Sequence, residues 1–544
     1  MKIKINLLFL ILIVSTSTFL PQGSGIFIGE NYILYPSNVN QTEVFVTSHP
    51  TNPNILFASA NTIVFQPFFI SEGIYVTTNG GVSWYGSDTC NGANISFHQG
   101  DPGITIDKEG RFILSRLGRQ PFYGIYSHYS TDNGLNWSSQ NKITSDGESL
   151  YERATLVTDN NPSSPNYGRT YAAWVKLSGS FPVEFSFTDN IASPWNSTRT
   201  INSFTQRSAG PDIEVGNDGE VFICYALVTS ISPFNETGIG FAVSTDGGNN
   251  WSVTNNVFPV NGINGVLPQK SNIRVNGLPR MAVDKSNTST RGTIYIVTTQ
   301  INLAPAGSDP DIILYKSKDN GITWSSGIRV NQDALNNGKT QYFPAIDIDK
   351  FGGINIIYYD DRTTTNDSTS VFLSRSTDGG LSWTDYKISD HNFKPLPIGG
   401  LGQGYQGDNI DIVAVENKLF PVWMDNSTGI YQIWSAAISF EPNKVENYQE
   451  SIEDFYLYQN YPNPFNPTTK ISWYSPINGL NTLKIFDVLG NEIATLVDEY
   501  KSKGYYEVNF NINTVQIGKL TSGIYFYQLK VGEFIETKKM ILLE

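Results

Sequence analysis

Short runs of alternating apolar and polar residues recur along this chain in a fixed order. GDPGITIDKEGRFILSRL (Gly100–Leu117), GPDIEVGNDGEVFICYALV (Gly210–Val228) and FPAIDIDKFGGINIIYYDD (Phe343–Asp361) each hold an alternating strand, a Gly or Asp turn and a second strand. After a gap comes a third strand in YGIYSHYSTDNGLNW, GIGFAVSTDGGNNW and SVFLSRSTDGGLSW, closed by a polar turn and a tryptophan that opens a fourth. The pattern predicts an all-β chain built from a repeated four-stranded unit.

The turn sets the period. TTNGGVSW, STDNGLNW, STDGGNNW, SKDNGITW and STDGGLSW start at Thr77, Ser130, Ser244, Ser317 and Ser376. The interval from Ser130 to Ser244 is double the typical one and predicts a hidden copy, read in SFTDNIASPW, Ser186–Trp195. Successive copies then start 53, 56, 58, 73 and 59 residues apart. A seventh unit, DNIDIVAVENKLFPVWMD followed by GIYQIWSAAISF, lacks the turn and ends near Phe440 with three strands. A ring of sheets must close to remove its edges. The segment Glu30–Pro36 is available as the missing strand. Residues 25–440 give about 59 per unit for seven units and about 69 for six. The expected fold is therefore a seven-bladed β-propeller, with six blades as the alternative.

The turn has a mechanical reading. Its Asp (Asp132, Asp246, Asp319, Asp378) accepts bonds from exposed backbone N–H groups. Its glycine (Gly134, Gly248, Gly321, Gly380) takes a positive φ. Its tryptophan (Trp137, Trp251, Trp324, Trp383) is an apolar plug expected to pack on its own sheet. Repeated equivalent aspartates read as structure, because catalysis needs one converging site.

Composition agrees: 13% of residues are aromatic and only 16% charged. The net charge of −14, with no basic block, argues against nucleic acid as a partner. MKIKINLLFLILIVSTSTF reads as a signal peptide within residues 1–24, too short for a transmembrane helix, and no later run is long enough to span a bilayer. Two cysteines, Cys90 and Cys224, give no disulfide framework, and four scattered histidines give no zinc motif. Asp347 and Asp349 lack the later ligands of a calcium loop. No metal or other cofactor is expected.

The turns fit S-x-D-x-G-x-x-W, and over residues 30–440 the chain resembles the Asp-box (BNR repeat) propellers of sialidases and their relatives. That resemblance implies the propeller fold and a site at the mouth where the inner strands begin. In sialidases the site holds an arginine triad for a carboxylate, an aspartate acid/base and a tyrosine paired with a glutamate. By position, ligand-binding candidates here are Arg153, Arg207, Arg280, Glu152 and Asp408. Catalytic candidates are Tyr405, Tyr342, Asp101 and Asp212. The set departs from the family in three ways. The F/Y-R-I-P element is absent, Gly210-Pro211 stands where a glutamate precedes proline, and the arginines come from consecutive units. The expected function is a glycan- or protein-binding propeller without catalysis, with an exo-sialidase-type glycoside hydrolase as the alternative.

After residue 440 comes a polar linker, 441–452, and then FYLYQNYPNPFNPTTKISWYSP, LKIFDVLGNEIATLVDE, YYEVNFNI and SGIYFYQLKVGE. Alternating strands and turns predict a small immunoglobulin-like β-sandwich over 453–544. The opening NYPNPFNPTT and the ending SGIYFYQL…KKMILL resemble the type A C-terminal sorting domain of the type IX secretion system. This implies a Gram-negative source, the secretion machinery as partner, and a secreted or outer-membrane-surface location.

Overall fold

The computed structural model describes residues 25–440 and 456–543, except 67, 91–97, 146–148, 203–206, 264, 461, 476, 515–519 and 533. The signal-peptide segment, the linker and residues 453–455 lie outside the described residues. The chain divides into two compact units, Met1–Asn443 and Lys444–Glu544. Among the described residues there is no α-helix, and no helix long and apolar enough to cross a membrane.

The first unit contains seven four-stranded antiparallel sheets, six of them ordered by sequence from the first strand outward. Their first strands are Asn40–Ser48, Gly103–Ile106, Thr155–Thr158, Arg207–Val215, Arg280–Val283, Gln341–Ile348 and Asp411–Val415. Each touches the next, and the last touches the first, so they form a closed, propeller-like ring. The seventh sheet takes its outer strand from the other end of the unit: Ile26–Ile33 pairs with Gln432–Phe440, placing Ile26 opposite Phe440. Alternation explains the packing. Side chains on the two faces of each sheet meet those of the two neighbouring sheets, and separate apolar clusters fill the gaps.

The repeated turn joins neighbouring sheets. At Asp246, Ser244 Oγ donates to Oδ1 (2.8 Å), as does the Asn250 N–H (2.8 Å), while the Gly248 N–H donates to Ser244 Oγ (2.8 Å). The backbone and side-chain donors of Asn250 hold this carboxyl down at about 2. The tryptophan corrects the expectation that it packs on its own sheet. Trp251, of the fourth sheet, meets Phe185 of the third edge-on, with ring centroids 4.9 Å apart, and Trp324 of the fifth meets Phe241 of the fourth at 5.2 Å. The glycines lie against the same neighbours: at φ +82 a Cβ on Gly321 would overlap the Phe241 ring.

The hidden copy is shifted from its expected start. Thr188, not Ser186, ends the third strand, and its hydroxyl accepts the Asn190 N–H (3.2 Å). Ser186 instead donates to Asn196 O (2.7 Å), because it sits on the same face two residues before the turn and out of its reach.

Between the fourth and fifth sheets lies an insertion, residues 260–279, that lengthens one repeat. Its hairpin, Gly265–Leu267 with Ile273–Val275, crosses to loops before the sixth and seventh sheets. Lys270 is fully buried there, with Nζ donating to Asp361 Oδ2 (2.7 Å) and to the carbonyls of Asn366 and Ser368 (2.9 Å each).

The second unit packs a three-stranded sheet and a four-stranded sheet around one core that includes Leu457, Trp473, Ile485, Tyr527 and Met540. The Trp473 indole donates to Asn481 Oδ1 (2.8 Å), which satisfies its buried N–H.

Candidate functional site

The mouth is where the first strands begin, and there the backbone leaves regular geometry. Bulges interrupt pairing between Thr42 and Phe45, Ala209 and Asp212, and Tyr342 and Ala345. Each bulge holds a left-handed residue: Glu43 (φ 55), Gly210 (φ 51) and Phe343 (φ 53). Asp101 (φ 58), Phe181 (φ 52), Phe234 (φ 62) and Gln403 (φ 61) are left-handed at the same end. Such conformations cost about 1–3 kcal/mol each for residues with a side chain, and they gather where the surroundings hold a site in place.

Two cavities open here. One, of about 290 Å³, is lined by Glu43, Glu152, Arg153, Arg207, Asp212, Arg274, Arg280 and Asp408, with Phe181, Phe234 and Phe343 as apolar walls. The other, of about 340 Å³, is lined by Asn61, Ile63, Ile70, Asp101, Leu401 and Tyr405 and shares Arg274 and Gln403 with the first. A third cavity, about 610 Å³, continues down the ring between the first strands, where Lys285 Nζ meets Glu214 at 2.9 Å.

The predicted arginines converge on the first cavity, each held differently. Arg153 donates through Nη1 to Asn409 Oδ1 (2.9 Å) and lies 4.3 Å from the Phe45 ring centre. Arg280 lies 5.1 Å from the same ring and pairs with Asp411 (3.0 Å) and Asp212 (3.5 Å). Arg207 is flanked by the rings of Phe181 (3.7 Å) and Phe234 (4.2 Å), and burial between them lowers its pKa. Two buried donors, Arg153 Nε and Arg280 Nη1, have no hydrogen-bond partner among the described residues.

The carboxyls are pushed toward their neutral forms. Burial, then Asp408 and Asp101, raise Glu43 well above the carboxylate range. Burial raises Asp101 as well. Glu152 is exposed at the opening, yet the protein packed around its carboxyl, with Asp101 and Asp408, pushes it up to about 7. Asp408 is engaged by Arg274 through both oxygens, one at 3.0 Å from Nε. The Tyr405 hydroxyl lies 3.1 Å from Thr42 Oγ1 and 3.4 Å from Asn61 Nδ2, and Asn61 also donates to Asp101 Oδ1 (3.3 Å).

Two candidates have other tasks. Tyr342 is fully buried, tilted against Tyr359 with ring centroids 5.0 Å apart, because strand alternation turns it into the core away from the mouth. Asp212 accepts the Met281 N–H (2.9 Å) and so ties the fourth sheet to the fifth. Sequence reasoning missed Glu43, Asn61 and Arg274. The signals were present: a lone acid in NQTEVFV, and the 73-residue interval that contains the insertion carrying Arg274.

A comparison with curated proteins finds no match. Among solved structures the chain is similar to a protein of unknown function from Dyadobacter fermentans DSM 18053, with 12% identity over 77% of this chain and 100% of that one and a TM-score of 0.43. It is similar to a PL25 ulvan lyase bound to -[GlcA(1-4)Rha3S]-, with 10% identity over 77% of this chain and 94% of that one and a TM-score of 0.46. A leech intramolecular trans-sialidase shares 11% identity over 64% of this chain and 68% of that one, with a TM-score of 0.41. Residues 459–543 match the family described as the secretion system C-terminal sorting domain, and the protein that carries it is a secreted one.

Proposed function

We propose that this protein is an exported seven-bladed β-propeller whose mouth binds an acidic saccharide. Residues 1–24 act as its signal peptide and 25–440 as the propeller, whose repeated turns are Asp-boxes. Beyond the linker 441–452, an immunoglobulin-like sandwich over 453–544 engages the type IX machinery and delivers the protein to the outer-membrane surface or the medium. The seven sheets in a closed ring support the blade count. The observation that carries the binding role is the convergence of three guanidinium groups, Arg153, Arg207 and Arg280, on the lining of one cavity. Guanidinium groups suit a carboxylate or sulfate. Raised carboxyl pKa values reduce the repulsion such a ligand would meet, and aromatic walls suit the apolar face of a sugar ring.

Calorimetric titration with N-acetylneuraminic acid and D-glucuronic acid tests this reading. At least one binds, and Arg207→Ala weakens it roughly tenfold or more while leaving Tm unchanged. Affinity rises as pH falls through about 7, because protonated Glu152 no longer repels the anion. Unchanged affinity in Arg207→Ala rejects the reading.

A second reading, hydrolysis, is favoured by the Tyr405 phenol, which shares Asn61 with Asp101 and is raised well above its usual range by burial and by Glu43. A phenol beside two carboxyls is a set for attack and proton transfer. Release of a fluorogenic sialoside's leaving group that vanishes in Tyr405→Phe would establish it.

A further inference from the structure

The insertion 260–279 divides the mouth. It is firmly held: Lys270 is buried on Asp361, the Arg274 N–H donates to Gly404 O (2.7 Å), and Asn276 Nδ2 donates to Asp408 O (3.2 Å). Leu267, Ile273 and Val275 are buried in the same apolar cluster as Phe343, Ile410 and Ile412. Arg274 therefore stands as a fixed partition. Asp408 grips its guanidinium, and the Tyr405 ring centre lies 5.1 Å away. Arg274 and Gln403 are the lining residues common to the cavities on either side.

The two chambers differ in chemistry. The 290 Å³ chamber holds Arg153, Arg207 and Arg280. Among the described residues lining it, the 340 Å³ chamber has no cation besides the paired Arg274, and its apolar walls are Ile63, Ile70 and Leu401, with the Tyr405 ring beside Asn61 and Asp101. Aliphatic and aromatic surface next to amide and carboxyl acceptors suits an uncharged sugar ring, which has apolar C–H faces and hydroxyl edges.

We infer that the mouth takes an acidic saccharide of at least two residues, with its acidic unit in the arginine chamber and a neutral neighbouring unit beyond Arg274. This rests on the acidic-saccharide reading and specifies its ligand as an oligosaccharide. The chamber beyond Arg274, about 340 Å³, lies near the lower end of the range for ligand pockets, which suits one further unit and not a long chain.

Gly402 supplies the test. It lines the second chamber, its φ is not left-handed, and a Cβ there meets nothing within 4 Å, so a tryptophan can fill the chamber without straining the fold. The full mature chain is titrated with N-acetylneuraminic acid against 3′-sialyllactose, and with glucuronic acid against a hyaluronan tetrasaccharide. For the acid that binds, the oligosaccharide is expected to bind roughly tenfold more tightly than the monosaccharide. Gly402→Trp removes that gain and leaves the monosaccharide constant and Tm unchanged; Leu401→Trp is the second filling variant. Equal affinity for both lengths, or a gain that survives both variants, overturns the inference while the acidic-saccharide reading stands. No binding by any probe overturns both.

Discussion

The two ends of the sheets follow opposite rules. At the turn end, successive units repeat Ser, Asp, Gly and Trp, and those residues do the same work each time: a carboxylate collects local donors while the indole and glycine seat against the preceding sheet. At the mouth end each unit contributes something different. The first gives Glu43 from a bulge, the second Asp101, the third Glu152 and Arg153, the fourth Arg207, and the insertion gives Arg274. Joints between equivalent neighbours can be identical, whereas one ligand presents different groups in different directions. Periodicity therefore marks assembly here, and departure from it marks the site.

Breaking the insertion's anchor should blur that division most. Lys270→Ala leaves Asp361 buried without its charge partner and should cost about 3–5 kcal/mol while also abolishing saccharide binding. Chemical denaturation and calorimetry on one preparation check both losses. Retained binding would show that the insertion does not shape the mouth.

Gly321→Ala should follow, at about 2–4 kcal/mol, because the new Cβ meets the Phe241 ring in a left-handed backbone. Asp378→Ala removes the acceptor for Ser376, Leu381 and Ser382 and should cost about 1–3 kcal/mol. Both changes lie at the turn end, so affinity at the mouth should stay constant. A binding loss without a stability loss would contradict the partition.

The smallest effect concerns pH. The hydrogen bond to Asp425 (2.7 Å), with Asp390 on the other ring nitrogen (2.6 Å), raises His391 from 6.5 to about 9. A raised folded pKa gives stability that is complete below the unfolded value near 6.5 and is lost as pH rises through about 9. The expected change is about 1 kcal/mol for this partly exposed group, read as a fall in Tm between pH 7 and 10 that His391→Gln abolishes.

Legibility in the sequence followed the same line. The all-β character and the sorting tail could be read directly, because alternation and repetition are local signals. At the mouth, Arg153, Arg207 and Arg280 were found because they stand at strand starts, but their engagements could not be foreseen. Arg280 is committed to Asp411, 131 positions away, and Arg274 to Asp408, 134 away. Tyr342 lies inside the core because it stands in regular pairing with Tyr359 before the bulge, and no pattern in TQYFPAIDI shows that the bulge begins only after it. Glu43 escaped notice for the converse reason, since a left-handed glutamate carries no sequence signature.

The seventh sheet has a consequence for how the molecule is made. Its outer strand, Ile26–Ile33, precedes its partner, Gln432–Phe440, by about four hundred residues of chain, so the earliest strand to emerge must wait for the latest before it finds hydrogen-bond partners. Assembly dominated by so distant a pairing is slow. Truncation at either margin of 25–440 strips hydrogen-bond partners from the same sheet and leaves a bare strand edge open to other chains.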